Sequence, residues 1–167
     1  MKAIYIPLTQ NNLNYIKHIH KADLRLSIHD DLGLRFLAII KLLSQHYRQQ
    51  HEKVNKDKYP VYIKILVSPN QYNCVKNISQ RGIQALNNKI DLMLKKDVYE
   101  FVKEKRKQNP ACKIVDAITE FCDIHSLTMS EKELSTLDRY ERRLREKNGE
   151  LLYKQNRQKN GCTKTEH

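Results

Sequence analysis

Apolar and polar residues alternate from the start of the chain. In AIYIP, Ala3 to Pro7, the alternation and the Ile/Tyr content predict a short strand stopped by Pro7. Thr9 or Asn11 is then suited to cap a short helix running through Ile19. DLRLSIHDD, Asp23 to Asp31, sets Leu24, Leu26 and Ile28 against Arg25, Ser27 and His29 and predicts a second strand. From Asp30 the spacing becomes helical, with Leu32, Phe36, Ile39 and Leu43 on one row and Leu37, Ile40 and Tyr47 widening it, to about Arg48. The polar run RQQHEKVNKDK reads as a surface loop. YPVYIKILVS, Tyr59 to Ser68, is rich in Val, Ile and Tyr, contains no acid, and is the strongest strand signal, ended by Pro69 and Asn70. A long helical row begins near Ser79 and runs through Ile83, Leu86, Ile90, Leu94, Val98, Phe101 and Val102 to about Lys107, with LKKDV as the one place for a break. KQNP stops it, because the residue before Pro110 is pushed out of helical geometry.

Beyond Pro110 the pattern is helical throughout. Ile114, Ala117, Ile118, Phe121 and Cys122 form one apolar stripe, interrupted by Ser126 to Ser130. The interruption holds two overlapping capping boxes, Thr128 with Glu131 and Ser130 with Glu133, so a new helix is expected to start near Ser130. Its Leu134, Leu137, Tyr140 and Leu144 are assigned toward the preceding helix, and Arg139, Arg142, Arg143 and Lys147 away from it. The expected fold class is α+β: a small N-terminal sheet with helices, followed by an all-helical, helix-turn-helix-like C-terminal unit. The corresponding divisions are an α+β scaffold over 1–108 that carries any dimer interface, a helical unit over 109–155, and a basic tail over 156–167 expected to be disordered.

Composition adds a charge argument. A chain of 167 residues can bury one ordinary core, and 40% hydrophobic with 30% charged residues suits a folded protein. The net charge of +12 and a pI near 9.5 favour a polyanionic partner through counterion release, with nucleic acid the first candidate. A membrane surface fits less well, since the basic residues are interleaved with acids. MKAIYIPLT lacks the apolar run of a signal peptide and no segment has the length of a membrane span, so a cytoplasmic location is expected. The cysteines at 74, 112, 122 and 162 are then expected to be reduced thiols.

The outward residues of the last helix carry the functional argument. A basic helix packed on a preceding helix can enter the major groove, with phosphate contacts fixing its register. The competing reading is a solvated helical hairpin, because Asp138, Glu141 and Glu146 can pair with those arginines, and the turn lacks the Gly that such turns often contain. A second basic cluster, Lys103, Lys105, Arg106 and Lys107, either clamps phosphate beside the C-terminal unit or complements the helix dipole. Cys112, Cys122 and His125 lack a fourth ligand and a C-x-x-C pair, so no metal is expected, and Cys122 reads as a buried stripe residue. His29, Asp30 and Asp31 read as a helix cap, and no catalytic, cofactor or small-molecule motif is present; the chain is expected not to be an enzyme.

The segments IYIPL, VYIKILVS, SQRGIQALNNKI and IVDAITEFCDIHSLTMSEKELSTLDRYERRLREK resemble, in order, a group of small proteins encoded in prophages and other mobile elements of bacteroidete bacteria. The resemblance implies an accessory protein that binds DNA and no enzymatic residue to carry over. The chain departs from the group in having Phe121 and Cys122 where a Trp is expected, and no Trp anywhere. The leading expectation is therefore a double-stranded DNA-binding accessory or regulatory protein, with a two-fold dimer expected because palindromic sites call for one. The rivals are a protein-interaction module pairing through Leu134, Leu137, Tyr140 and Leu144, and an RNA-binding protein that uses Tyr59, Tyr62 and Ile65 as a stacking surface.

Overall fold

Two β-rich heptads and one long apolar row set the architecture. In the computed structural model, which describes residues 1–20, 24–25, 38, 55–70, 72 and 80–149, the elements are β1 (Lys2–Leu8), α1 (Gln10–Ile19), β2 (Leu24–Arg25), β3 (Val61–Val67), α2 (Gln80–Gln108), α3 (Ile114–Ile124) and α4 (Glu131–Lys147). This is an α+β fold. The expected helix from Asp30 to about Arg48 lies outside the described residues save for Ala38, which is helical. Outside them too are the tail over 156–167 and all of the second expected strand except Leu24 and Arg25.

The described strands form a sheet of order β1-β3-β2, with β1 antiparallel and β2 parallel to β3. Ile4 faces Ile65 and Ile6 faces Ile63 across the β1–β3 ladder, and these residues with Leu8 and Val67 form the buried face. That face meets Leu13 and Ile16 of α1 and Leu86, Ile90 and Leu94 of α2 in one core cluster, each such side chain worth about 1.5–3 kcal/mol when fully buried. β1 does not stop at Pro7. It continues to Leu8: among the described strands β1 pairs with β3 alone, and an edge strand tolerates a proline whose nitrogen faces away from the ladder.

Thr9 caps α1 by accepting from the Asn12 N–H, as its position predicts. α2 is unbroken through LKKDV, and its 29 residues extend about 43 Å. Its first half lies against the sheet. Its second half carries Val98, Phe101 and Val102 to the C-terminal helices, where Phe101 meets Phe121 edge-on at 5.5 Å between ring centroids. The core cluster is continuous from Ile4 to Leu137, so the sheet and the C-terminal helices share one interior.

Candidate nucleic-acid interface

The α3–α4 hairpin holds its shape through the backbone of its turn. Leu127 N–H donates to Cys122 O at 2.8 Å and Ser126 N–H to Asp123 O at 3.1 Å, the paired bonds of a Schellman end. Ser126 takes the left-handed position, φ 52°, that glycine usually fills. The turn therefore has the geometry of a glycine-ended helix without the glycine. Leu127 is buried, the apolar contact that accompanies this motif.

One of the two expected capping boxes forms. Ser130 accepts from the Glu133 N–H while the Glu133 carboxylate accepts from the Ser130 N–H at 2.8 Å. The Thr128 box does not form, because the Thr128 N–H donates instead to Asn11 Oδ1 at 3.0 Å and Asn11 Nδ2 returns a bond to Thr128 O at 2.9 Å. Asn14 Nδ2 adds a bond to Ser126 O at 2.7 Å, so α1 fixes the turn from which α4 departs.

α4 is electrically bipolar. Its first turn carries Glu131 and Glu133, and its second half carries Arg139, Arg142, Arg143, Arg145 and Lys147. Leu137 is buried and Leu134, Tyr140 and Leu144 are half-buried, which bears out the inward assignment. Arg139, Arg142, Arg143 and Lys147 are exposed. Arg139, Arg143 and Lys147, at i, i+4 and i+8, form one row about 12 Å long.

Glu141 does not stand among them. Its side chain is 1% exposed, with one carboxylate oxygen 2.6 Å from Arg145 Nε. The Arg145 N–H is not aligned on that oxygen, so the contact is an ion pair rather than a well-directed hydrogen bond. Burial raises the Glu141 carboxyl above its ordinary range, opposed by Arg145 and then by Arg106 from α2. The signal was present in the sequence: Leu134, Leu137, Glu141 and Leu144 follow the 3-4-3 spacing of a buried row. Of the other acids, Glu146 lies 3.8 Å from Arg142 in an exposed pair of little energetic weight, and Asp138 is half-buried.

The accessory cluster on α2 divides. Lys103 and Lys107 are exposed, with Lys103 Nζ 5.7 Å from the Tyr99 ring centre. Lys105 pairs with Glu120 of α3 at 2.5 Å, and Arg106 is half-buried beside Glu141. Lys105 and Arg106 thus meet acids within the protein.

Two concave regions adjoin the N-terminal half of α4. A cleft of about 210 Å³ is lined by Asp91, Lys95, Glu133 and Thr136 with Thr9 and Asn11. Burial raises the Asp91 carboxyl, and Lys95 opposes that shift. A groove of about 340 Å³ between α3 and α4 has Val115, Ile118 and Leu134 beside Glu131 and Asp138. Both carry carboxylates and suit a phosphate backbone poorly. Cys122 is buried on the α3 stripe, its thiol pushed up to about 11 by burial and then by Asp123. Among the described residues no cluster of His, Cys, Asp and Glu has the arrangement of a metal site. Among them, too, no helix is long and apolar enough to cross a membrane. No family model, curated protein or solved structure matches the chain.

Proposed function

We propose that this chain is a non-enzymatic, cytoplasmic DNA-binding accessory or regulatory protein that contacts duplex DNA through the second half of α4. The observation that carries the reading is the separation of charges on that helix. Arg139, Arg142, Arg143 and Lys147 are outside, while Glu141, one of the acids interleaved with them, is turned inward and held by Arg145, and Glu146 stays outside beside Arg142. The outer face is therefore more cationic than the interleaved sequence suggests. An α-helix with its side chains, about 10–12 Å across, is of the size that the major groove, about 12 Å wide, admits. Lys103 and Lys107 are the accessory phosphate contacts, and the net charge of +12 supplies the long-range attraction. The resemblance in segment order to mobile-element proteins supports an accessory role in such an element.

The basic half is the C-terminal half of the helix, whereas the first turn is acidic, so the reading is of phosphate contacts along the helix rather than insertion of its N-terminus. Arg142→Ala combined with Arg143→Ala tests it by fluorescence anisotropy on random-sequence duplex DNA. The expected result is a uniform loss of affinity across sequences with the fold intact by circular dichroism; unchanged affinity would rule this face out. The apolar groove of Val115, Ile118 and Leu134 favours a second reading, a protein-interaction module, for which duplex affinity would be absent from the outset.

A further inference from the structure

Tyr59 and Ile65, which the sequence groups with Tyr62 as a stacking surface, are buried in the core. The groove between α3 and α4 is of another kind. Val115, 58% exposed, lies along it with Ile118 and Leu134, beside Glu131 and Asp138. Its walls are acidic in a chain of net charge +12: α3 has three acids and no Lys or Arg, and the first half of α4, Glu131 to Asp138, has three acids and one lysine. Glu120 is held by Lys105, and Glu133 by the cap of α4. Glu131 and Asp138 have no ion pair or side-chain hydrogen bond among the described residues.

Glu131, Ser135, Asp138 and Arg142 follow one another at i, i+4, i+7 and i+11, and so form one stripe on α4, about 17 Å long, beside the groove. The stripe begins acidic and ends basic. The second half of α4 as a whole sets four arginines and a lysine against two glutamates. A helix with that polarity is complementary to itself run in the opposite direction. Two parallel copies would set acid against acid. Antiparallel copies, related by a two-fold axis between Asp138 and Arg142, set each Asp138 against Arg142 of the other copy and each Glu131 against the last turn, where Lys147 is. Such a contact is isologous and closes at two. A foreign basic segment would satisfy the acids but leave Arg142, with its side chain 62% exposed and 3.8 Å from Glu146, no carboxylate across the contact. A second copy meets both needs.

We propose that two copies of this chain associate through their α3–α4 hairpins, α4 antiparallel to α4, with Asp138 and Arg142 paired across the two-fold axis and the groove at Val115 and Leu134 covered. The interface thus belongs to the hairpin and not to the 1–108 scaffold on which the sequence places it. Arg139 and Arg143 lie about a quarter turn round the helix from the stripe and stay outside the contact. The inference goes beyond the duplex reading and does not depend on it.

Sedimentation velocity of the full chain without nucleic acid tests it. The mass should rise with concentration from 19.8 kDa toward twice that value, and a mass that stays at 19.8 kDa at the highest soluble concentration would overturn the proposal. Glu131→Lys/Asp138→Lys and Arg142→Glu/Lys147→Glu should each be monomeric with helix content kept by circular dichroism, and an equimolar mixture of the two should dimerise, because the mixed pair restores attraction at both ends of the contact. A variant that dimerises alone as wild type does, or a mixture of folded variants that stays monomeric, would overturn it. Carbodiimide cross-linking of mixed isotope-labelled and unlabelled wild type needs no variant. Glu131 and Asp138 stand about 24 Å and about 14 Å from Lys147 along one helix, so a zero-length bond from either acid to Lys147 must join two copies. Those bonds are expected. Bonds from these acids to Lys154 or Lys159 of the same chain, or inter-chain bonds confined to residues 1–108, would overturn the proposal while leaving the duplex reading in place.

Discussion

His125 closes α3 with its ring stacked on Phe121 at 4.0 Å and 4.2 Å from the ring of His18, and its Nδ1–H is in place to donate to Phe121 O at 2.9 Å. Burial lowers its pKa below 6.5; the Phe121 carbonyl acts against that shift, His18 adds to it, and Asp97 acts against it. The unfolded chain then takes up a proton at a higher pH than the folded protein does, so stability is lost as pH falls through 6.5. Thermal unfolding followed from neutral to acid pH should show that loss, and His125→Phe, which keeps the stacked ring and removes the proton site, should flatten it. An equal loss in the variant would place the titrating group elsewhere. At this scale the sequence was legible for the exposed cations, and for Glu141 only through its place in the row of Leu134, Leu137 and Leu144, since its charge pairing says nothing of burial. Charge pairing at i+4 spacing describes Glu141 with Arg145 equally well on a surface or in an interior. What decides between them is α2, which brings Arg106 to the same carboxylate.

At the scale of elements, local signals were the readable ones. The apolar rows of α2, α3 and α4 and the Ser130–Glu133 box need only neighbouring residues, and all are found where their spacing puts them. The failures depend on distant partners. Pro7 sits inside β1 because of strand order, and the Thr128 box is displaced by Asn11, 117 residues away in sequence. The turn offers a direct check: Ser126→Gly relieves a left-handed residue and should stabilise the protein by about 1 kcal/mol in urea unfolding. A destabilised variant would contradict the Schellman assignment. Asn87 holds the β1–α1 junction to α2, donating to Pro7 O at 3.2 Å and accepting from Thr9 N at 3.0 Å and from Asn12 Nδ2 at 3.0 Å. Asn87→Ala strands those buried groups and should cost about 3 kcal/mol, a drop that the same unfolding curves would resolve.

At the scale of the whole molecule, the long α2 joins a small sheet to a helical hairpin through one interior. The α+β class was legible because a run of strong strand residues precedes a run of helical periodicity. The partner was legible only as a charge excess, since +12 names an anion and not its form. The central claim, that the α4 row contacts duplex phosphates, is tested most directly by the salt dependence of binding. Log affinity for random-sequence duplex against log salt should fall steeply for the wild type, and Arg139→Ala/Arg143→Ala/Lys147→Ala should make that slope shallower by about 2.7, three phosphate contacts at about 0.9 each. A slope identical in the two proteins would contradict the account.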